Sequence, residues 1–325
     1  MTDLMLQVKD LTMHYKTSKG EVSAVNNVSF VVEKGQSLGL VGESGCGKTS
    51  IAFSLLRLLP DNAEIKGGDI ILDGANITDM DKKQLLKVRW KGISMVFQAA
   101  MNALNPIFTV GEQIVEAIQV HNPEINVAEA KNNVTDLFTL VGLDPKLMDR
   151  YPHEFSGGMR QRAVIAMALA CHPKLIIADE PTTALDVIVQ DRILSQLKEI
   201  QDRLDMSMIY ISHDIAVIAE VSDRIGVMYA GRMAELAKAN EIFKRPIHPY
   251  TYALMSAFPS IKGPKKSLTT LPGEPPDLLN PPSGCRFHPR CPRATVQCRQ
   301  ETPPFIEHSP GHFAACWHPM EVENE

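Results

Sequence analysis

A glycine-rich run of eight residues carries the clearest chemistry in the sequence. Residues 42–49 read Gly-Glu-Ser-Gly-Cys-Gly-Lys-Thr and fit the pattern G-x-x-x-x-G-K-[ST]. In this pattern the glycines let backbone N–H groups turn toward an anion, and the following helix contributes the positive end of its dipole. Lys48 would reach the β- and γ-phosphates of a nucleotide, and the Thr49 hydroxyl would bind Mg²⁺. We therefore predict nucleotide binding by Gly42, Ser44, Gly45, Cys46, Gly47, Lys48, Thr49 and Ser50.

Cys46 lies inside this loop, and its thiol has two interpretations. The positive end of a helix stabilises a thiolate, which would make the residue reactive. A small side chain at a tolerant loop position is the simpler interpretation, and we favour it. Cys171, beside His172 and Pro173 at the end of a predicted helix, is interpreted as a buried structural thiol.

An apolar run that ends in two acids follows later in the chain. Residues 175–181 read Leu-Ile-Ile-Ala-Asp-Glu-Pro, which predicts a buried strand with carboxylates at its end. Alone, such an acidic pair indicates a solvated loop. Downstream of a phosphate-binding motif it indicates metal and water chemistry, so we assign Asp179 to the Mg²⁺ shell and Glu180 to the general base.

A second potential anion site precedes another predicted helix. Ser156, Gly157 and Gly158 place backbone N–H groups and a hydroxyl at the start of that helix. Two phosphate-binding surfaces in one chain are unexpected for a kinase with a single nucleotide site, and they argue against that class.

The order of these motifs resembles that of the ATP-binding subunits of ABC transporters. Besides the glycine-rich loop and the acid-ended strand, the matching positions are Tyr15, Gln98, Ser156-Gly157-Gly158-Met159, Ala184-Leu185-Asp186 and His213. Each short motif is weak alone, but the whole set in the family's order is very specific. The resemblance implies Mg²⁺-dependent ATP hydrolysis coupled to transport.

The resemblance also implies a role for each matched residue. Tyr15 would stack on adenine, and Gln98 would join the Mg²⁺ shell and sense the membrane subunit. His213 would hold the γ-phosphate and orient Glu180 and the attacking water. Two such domains close head to tail in the family, so residues 156–158 would contact the γ-phosphate bound by the other domain.

Two departures narrow the resemblance. Phe155 and Met159 stand where the family most often has leucine and glutamine. Oligopeptide and dipeptide importers contain two ATPases, and the run FSGGMRQR resembles the signature of one of them. The other ATPase carries glutamine at the position of Met159. We therefore expect a heterodimer with a second ATPase, with a homodimer as the alternative. The other expected partners are two transmembrane permease subunits and an extracytoplasmic solute-binding protein.

Four cysteines near the end of the chain form a second group of reactive side chains: Cys285, Cys291, Cys298 and Cys316. Disulfides are disfavoured for an ATPase in a reducing compartment. A zinc site is one alternative, although paired C-x2-C motifs are missing, and an iron–sulfur cluster, which accepts looser spacing, is another. From spacing alone these alternatives stay open.

The sequence around the cysteines resembles the C-terminal extension of the peptide-importer ATPases. The matching runs are RPIHPYT (245–251), LPGEPPDL (271–278) and CRFHPRCP (285–292). Members of that group hold a [4Fe–4S] cluster on four such cysteines. The resemblance therefore implies a [4Fe–4S] cluster with a structural role, and zinc remains the alternative metal.

The elements that must position these residues alternate between strands and helices. Strands are predicted at 4–11, 22–32, 37–42, 175–178, 207–211 and 224–230, and helices at 50–59, 157–170, 187–204 and 214–221. This alternation predicts an α/β fold with a mainly parallel core sheet, and the phosphate motif makes it a P-loop NTPase. Helical periodicity at 112–149 predicts a mostly α-helical insert. The resemblance to ABC ATPases implies a helical subdomain at about 100–170 and an antiparallel β-subdomain.

Proline and cysteine usage divides the chain near residue 259. Of the 22 prolines, 13 lie in the last 67 residues, together with four of the six cysteines. We predict an ABC ATPase domain at 1–258. A small, loop-rich extension with the four-cysteine metal site follows at 259–325.

The composition excludes several classes of protein. A net charge of −5 argues against a nucleic-acid-binding protein, and 44% hydrophobic residues is far above the disorder range. No uncharged apolar run approaches 18 residues, and no basic start precedes an apolar block. We therefore expect neither a membrane span nor a secretory signal, and predict a peripheral subunit on the cytoplasmic face of the cell membrane.

The function predicted from these features is ATP hydrolysis that energises an importer for di- and oligopeptides. The same type of subunit serves β-linked oligosaccharides, nickel and other small solutes, and these are the alternative cargoes. An ABC-type ATPase of DNA repair is the alternative from a different class, but the coiled coils and zinc insertions usual there are not evident.

Overall fold

The structure is a computed structural model of the chain and describes residues 3–98, 103–183, 185–256, 271 and 273–320. Its strands are β1 (Leu4–Thr17), β2 (Gly20–Glu33), β3 (Ser37–Val41), β4 (Ala63–Leu72), β5 (Ala75–Asn76), β6 (Ile93–Val96), β7 (Leu175–Asp179), β8 (Ser207–Ser212), β9 (Arg224–Tyr229), β10 (Arg232–Lys238), β11 (Ile306–Ser309) and β12 (His312–Ala314). Its α-helices are α1 (Lys48–Leu56), α2 (Lys82–Val88), α3 (Val110–His121), α4 (Val127–Leu140), α5 (Gly157–Leu169), α6 (Val187–Leu204), α7 (Ile215–Val221), α8 (Ala239–Lys244), α9 (Pro249–Ser256) and α10 (Val296–Gln300). Short 3-10 turns lie at Pro145–Asp149, Pro152–Glu154 and His288–Arg290.

The chain divides into two compact units that alternate along the sequence. The first comprises Met1–Leu6, Val31–Ser37 and Ile71–Ile211, and the second comprises Gln7–Phe30, Leu38–Ile70 and Ser212–Glu325. The predicted boundary between residues 258 and 259 lies outside the described residues.

The first unit contains a parallel sheet in which β7 lies between β6 and β8. Leu175 pairs with Ile93 on one side and with Ser207 on the other. The strands are buried almost throughout, which explains why their sequences are continuous apolar runs and do not alternate. In the same unit α3, α4 and α5 pack on one another, within the predicted helical subdomain.

The second unit is mostly antiparallel. β3 runs parallel to β9, and the order then continues through β10 and β12 to β11 with antiparallel pairing. In this unit β1 also lies between β2 and β4. The unit therefore joins the strand before the glycine-rich loop to strands of the C-terminal extension.

Two differences from the predicted elements have clear physical causes. The helix predicted at 50–59 spans Lys48–Leu56, because it starts directly on Gly47 and stops where Arg57 adopts φ +52°. β10 was not predicted, because its sequence RMAELAK carries an acid in the middle and does not alternate. That acid, Glu235, is completely buried.

Candidate functional site

The glycine-rich loop connects β3 to α1 in the second unit. Gly42 has φ +151° and Gly47 has φ +105°, and a Cβ at either position would lie 2.2 Å from a backbone oxygen. Only glycine fits this path. Because the N-cap residue Gly47 has no side chain, the first N–H groups of α1 are left for an anion.

The side chain of Lys48 lies inside the loop. It is buried, and its ammonium donates to the carbonyl oxygens of Gly42 (2.7 Å) and Glu43 (3.1 Å). A buried cation beside a helix N-terminus attracts a negatively charged group. The local geometry therefore suits the predicted binding of phosphate by residues 42–50.

Burial decides between the two interpretations of Cys46. The side chain is buried, and this burial raises the pKa of its thiol more than the neighbouring Lys48 lowers it. A neutral thiol is a poor nucleophile. The environment favours a small side chain that packs inside the loop over a reactive thiolate.

Tyr15 lies near the end of β1 and is half-buried. Its hydroxyl is 3.2 Å from the Oγ of Ser50, in the first turn of α1. The ring is thus anchored beside the helix that follows the phosphate loop. Stacking on adenine stays a prediction for this residue.

The predicted general base lies at the end of β7 in the first unit. Asp179 is fully buried, and Glu180 follows it with φ +45°, a conformation that costs energy outside glycine and is typical of functional sites. The backbone N–H of Glu180 donates to the carbonyl oxygen of Ile211 at 2.8 Å. The turn after the strand is therefore held in a strained form.

Two side chains donate to the same oxygen of Glu180. Gln98 Nε2 lies 2.7 Å from Oε2, and Thr183 Oγ1 lies 3.0 Å from it. The structure thus brings together Gln98 and Glu180, which are far apart in the sequence. Thr183 was not predicted as a site residue, and its place three residues after Glu180, in a tight turn, was the available signal.

The second predicted anion surface lies at the start of α5 in the first unit. Ser156 is the N-cap, and its Oγ accepts from the N–H of Met159 at 3.3 Å. Gly157 and Gly158 form the first turn without side chains to cover their N–H groups. This arrangement matches the one expected for binding a phosphate group.

The last two matched motifs are only partly described. Ala184 lies outside the described residues, whereas Asp186 caps α6 by accepting from the N–H of Val189 at 2.9 Å. His213 is exposed in the second unit, between β8 and α7. Its role in catalysis stays a prediction.

The four C-terminal cysteines line one cavity in the second unit. Cys285, Cys291, Cys298 and Cys316 share it with other side chains, including His248, Phe287, His288 and His318. The N–H of Cys285 donates to the carbonyl oxygen of Cys298 at 2.8 Å, which ties two of the cysteine segments together. The structure thus brings the four predicted cysteines together.

The environment of these thiols bears on metal binding. Burial raises the pKa of Cys285 to about 11 and that of Cys316 to about 12, and the neighbouring cysteines add to both increases. Such thiols bind a metal only when the cation replaces their protons. Within the described residues, no group of three or more His, Cys, Asp or Glu side chains is placed to hold a metal ion, so the structure itself does not support the predicted [4Fe–4S] cluster.

Sequence reasoning missed a buried acid that connects the extension to β10. Glu235 accepts from the N–H groups of Ile247 (2.9 Å) and His248 (2.8 Å), and it lies 2.7 Å from Nε2 of His312. The carboxylate is completely buried. A charged residue in an unrecognised strand gave no usable signal.

Comparisons with known proteins assign the family. A family model described as ABC transporter matches residues 25–183, and one described as oligopeptide/dipeptide transporter, C-terminal region, matches residues 234–298. A probable peptide ABC transporter ATP-binding protein of Sinorhizobium fredii is 47% identical over 99% of this chain and 97% of its own length. The chain belongs to the ATP-binding subunits of ABC transporters, in the oligopeptide/dipeptide group.

A second relative and a solved structure agree with this membership. The oligopeptide transport ATP-binding protein OppD of Escherichia coli is 45% identical over 98% of this chain and 94% of that protein. The ATP-binding cassette MJ0796, in a dimeric post-hydrolysis state bound to ADP and Pi, is 28% identical with a TM-score of 0.65, over 72% of this chain and 99% of that one. The predicted P-loop NTPase fold of ABC type is thereby confirmed.

Family membership also settles the class of activity. ABC ATPases couple ATP hydrolysis to transport, so this chain is an ATPase subunit, and the DNA-repair alternative loses its support. None of the helices in the described part of the chain has both the length and the apolar composition needed to cross a membrane.

Proposed function

We propose that this ABC ATPase powers the import of di- and oligopeptides by hydrolysing MgATP. Lys48 and the backbone of the loop bind the β- and γ-phosphates, and Thr49, Gln98 and Asp179 belong to the Mg²⁺ shell. Glu180 takes the proton of the attacking water. The observation that carries this proposal is the carboxylate of Glu180, which two donors orient at the end of β7.

Replacing the general base tests the proposal. Glu180→Gln keeps the size of the side chain but cannot accept the proton, so we expect ATP to bind while hydrolysis in the assembled transporter nearly stops. The variant should accumulate a closed, ATP-bound ATPase dimer, detected by size-exclusion chromatography. Glu199→Gln, at an exposed position of α6, is the matched control. Normal turnover by Glu180→Gln would refute the assignment.

The proposed transporter contains other subunits. The chain docks at the cytoplasmic face of the cell membrane on two permease subunits, pairs with a second ATPase, and receives cargo that an extracytoplasmic binding protein delivers. In the ATPase dimer, Ser156, Gly157 and Gly158 of each chain contact the γ-phosphate held by the other chain. His213 holds the γ-phosphate bound by its own chain.

Peptide is the cargo that the relatives support. The two relatives described above are named for peptide and oligopeptide transport, and both match nearly the whole chain. The complete transporter in lipid vesicles should take up labelled di- and oligopeptides only when ATP is supplied. ATP-dependent uptake of nickel or of a β-linked oligosaccharide, without peptide uptake, would replace peptide as the cargo.

We also propose that the cysteine cavity holds a [4Fe–4S] cluster. Four cysteines that line one cavity supply the ligand number of such a cluster.

Metal analysis tests the cluster. Full-length protein purified without air should contain about four irons and four sulfides per chain and show broad visible absorption. Cys291→Ser should lose this iron, whereas Cys171→Ser, a buried thiol outside the extension, should retain it. Colourless protein with one zinc per chain would identify zinc as the metal.

A further inference from the structure

The second residue of the phosphate loop is held by side chains from the C-terminal part of the chain. The guanidinium of Arg290 donates to both carboxylate oxygens of Glu43, with Nη1 2.6 Å from Oε2 and Nη2 2.9 Å from Oε1. The backbone N–H of Glu43 donates to the hydroxyl of Tyr250 at 3.0 Å. Bidentate pairs of this kind fix orientation as well as distance, so both the backbone and the side chain of Glu43 are restrained.

The side chains of Tyr250 and Arg290, which restrain Glu43, pack in a cluster of aromatic side chains. Tyr250 is completely buried, and its ring centroid lies 4.6 Å from that of Tyr229 and 5.4 Å from that of Phe287. Arg290 is 8% exposed, and its Nη1 donates to the hydroxyl of Tyr229 at 3.3 Å. Because a close-packed interior transmits displacement, a shift of one of these side chains shifts its neighbours as well.

Arg290 also belongs to the segment that carries two of the cavity cysteines. The N–H of His288 donates to the carbonyl oxygen of Cys285 at 3.0 Å, and the N–H of Cys291 donates to that of His288 at 3.3 Å. Arg290 is the last residue of the 3-10 turn His288–Arg290 and directly precedes Cys291. The short segment 285–291 therefore carries two thiols that line the cavity and the guanidinium that binds Glu43 of the phosphate loop.

We propose that Arg290 is a positioning residue for the phosphate loop, and that through it the state of the cysteine cavity sets the affinity for ATP. The inference rests on the proposed binding of ATP by this loop, but it holds for any occupant of the cavity. Because coupling between two sites is reciprocal, bound ATP in turn stabilises the occupied form of the cavity.

The ion pair is tested first by nucleotide binding to the full-length chain. Arg290→Met should raise the Kd for a fluorescent ATP analogue about tenfold, since a bidentate charge-assisted pair is lost. In the assembled transporter KM for ATP should rise while kcat at saturating ATP stays within about twofold. Glu43→Gln should act alike, and the double variant should be no worse than the poorer single variant. Arg299→Met, an exposed arginine of the same extension, is the control.

The coupling to the cavity is tested by a second cycle. Cys291→Ser should weaken ATP binding in the wild-type background and have no further effect in the Glu43→Gln background. Equal effects in both backgrounds would overturn the coupling, and an unchanged Kd in folded Arg290→Met would overturn the positioning role. If Arg290→Met fails to fold, the isosteric Glu43→Gln carries the same test of the pair.

Failure of the proposed function would look different from failure of this inference. If the wild-type chain did not bind ATP, or if Lys48→Ala left binding unchanged, the assignment of the loop itself would be wrong. If the wild-type chain binds ATP and only the Arg290, Glu43 and Cys291 variants behave like the control, the assignment of the loop stands and the inference falls.

Discussion

At the scale of single residues, the orientation of Glu180 distinguishes a catalytic acid from a solvated one. Gln98 and Thr183 donate to one carboxylate oxygen, and the left-handed backbone at Glu180 fixes the direction in which the side chain leaves β7. A general base must be held in place before its substrate arrives, because catalysis depends on preformed geometry. Strain and hydrogen bonds together provide that here.

Thr183 offers a test of this orientation that leaves the base intact. Thr183→Val keeps the shape of the side chain but removes the hydroxyl that donates to Glu180. Loss of one hydrogen bond of about 1 kcal/mol from the transition state should lower kcat about fivefold. The KM for ATP should change little. Thr182→Val is the matched control, and an equal decrease of kcat in both variants would contradict the role of Thr183.

At the scale of elements, β10 connects the ATPase sheet strand β9 to the C-terminal hairpin of β11 and β12. Its buried acid, Glu235, accepts hydrogen bonds from the segment before α9 and lies beside His312 of β12. A buried carboxylate is tolerated only where several donors satisfy it. Glu235 therefore fastens two parts of the extension to one strand.

Removing this acid should loosen the extension. Glu235→Ala leaves two backbone N–H groups and a buried histidine without their acceptor, and we expect a loss of about 3 kcal/mol in the free energy of unfolding. Urea denaturation measures the loss, and limited proteolysis should release fragments from residues after 244. The exposed Glu274→Ala is the control. Equal free energies of unfolding for the two variants would show that Glu235 does not stabilise the attachment of the extension.

Elements with local signals could be predicted from the sequence, and elements defined by distant partners could not. The apolar run of β7 and the glycines of the phosphate loop follow from local burial and backbone rules, and both were predicted. β10 looked too charged for a strand, because its acid is satisfied by donors that come from later in the chain. The contact of Arg290 with Glu43 joins residues 247 positions apart, which no local pattern reveals.

At the scale of the whole molecule, the extension is not a separate tail. Its described residues belong to the same compact unit as the phosphate loop and the strand before it. A small proline-rich segment buries little apolar surface of its own, so it depends on this body and on its cysteines for stability. The unit that carries the phosphate loop and the cysteine cavity should therefore unfold in one transition.

The subunit composition is the largest-scale prediction. When the chain is produced with its transporter subunits, a second, different ATPase should co-purify in equal amount. We expect this because the run FSGGMRQR resembles the signature of one of two paired importer ATPases, and the other ATPase of such a pair carries glutamine in place of Met159. Mass spectrometry of the intact complex measures the stoichiometry. A fully active transporter that contains only this ATPase would establish the homodimer.

The pairing of β12 with β10 has a consequence for shortened versions of the protein. Glu235 and Leu236 pair with Ala314 and Phe313, so the hairpin covers one side of β10. A chain cut after residue 256 would turn β10 into an open edge with unpaired N–H and C=O groups, and Glu235 would lose its contact with His312. Open edges of this kind recruit strands from other molecules. The excised cassette should consequently aggregate in proportion to its concentration, even though every ATP-binding motif is present in it.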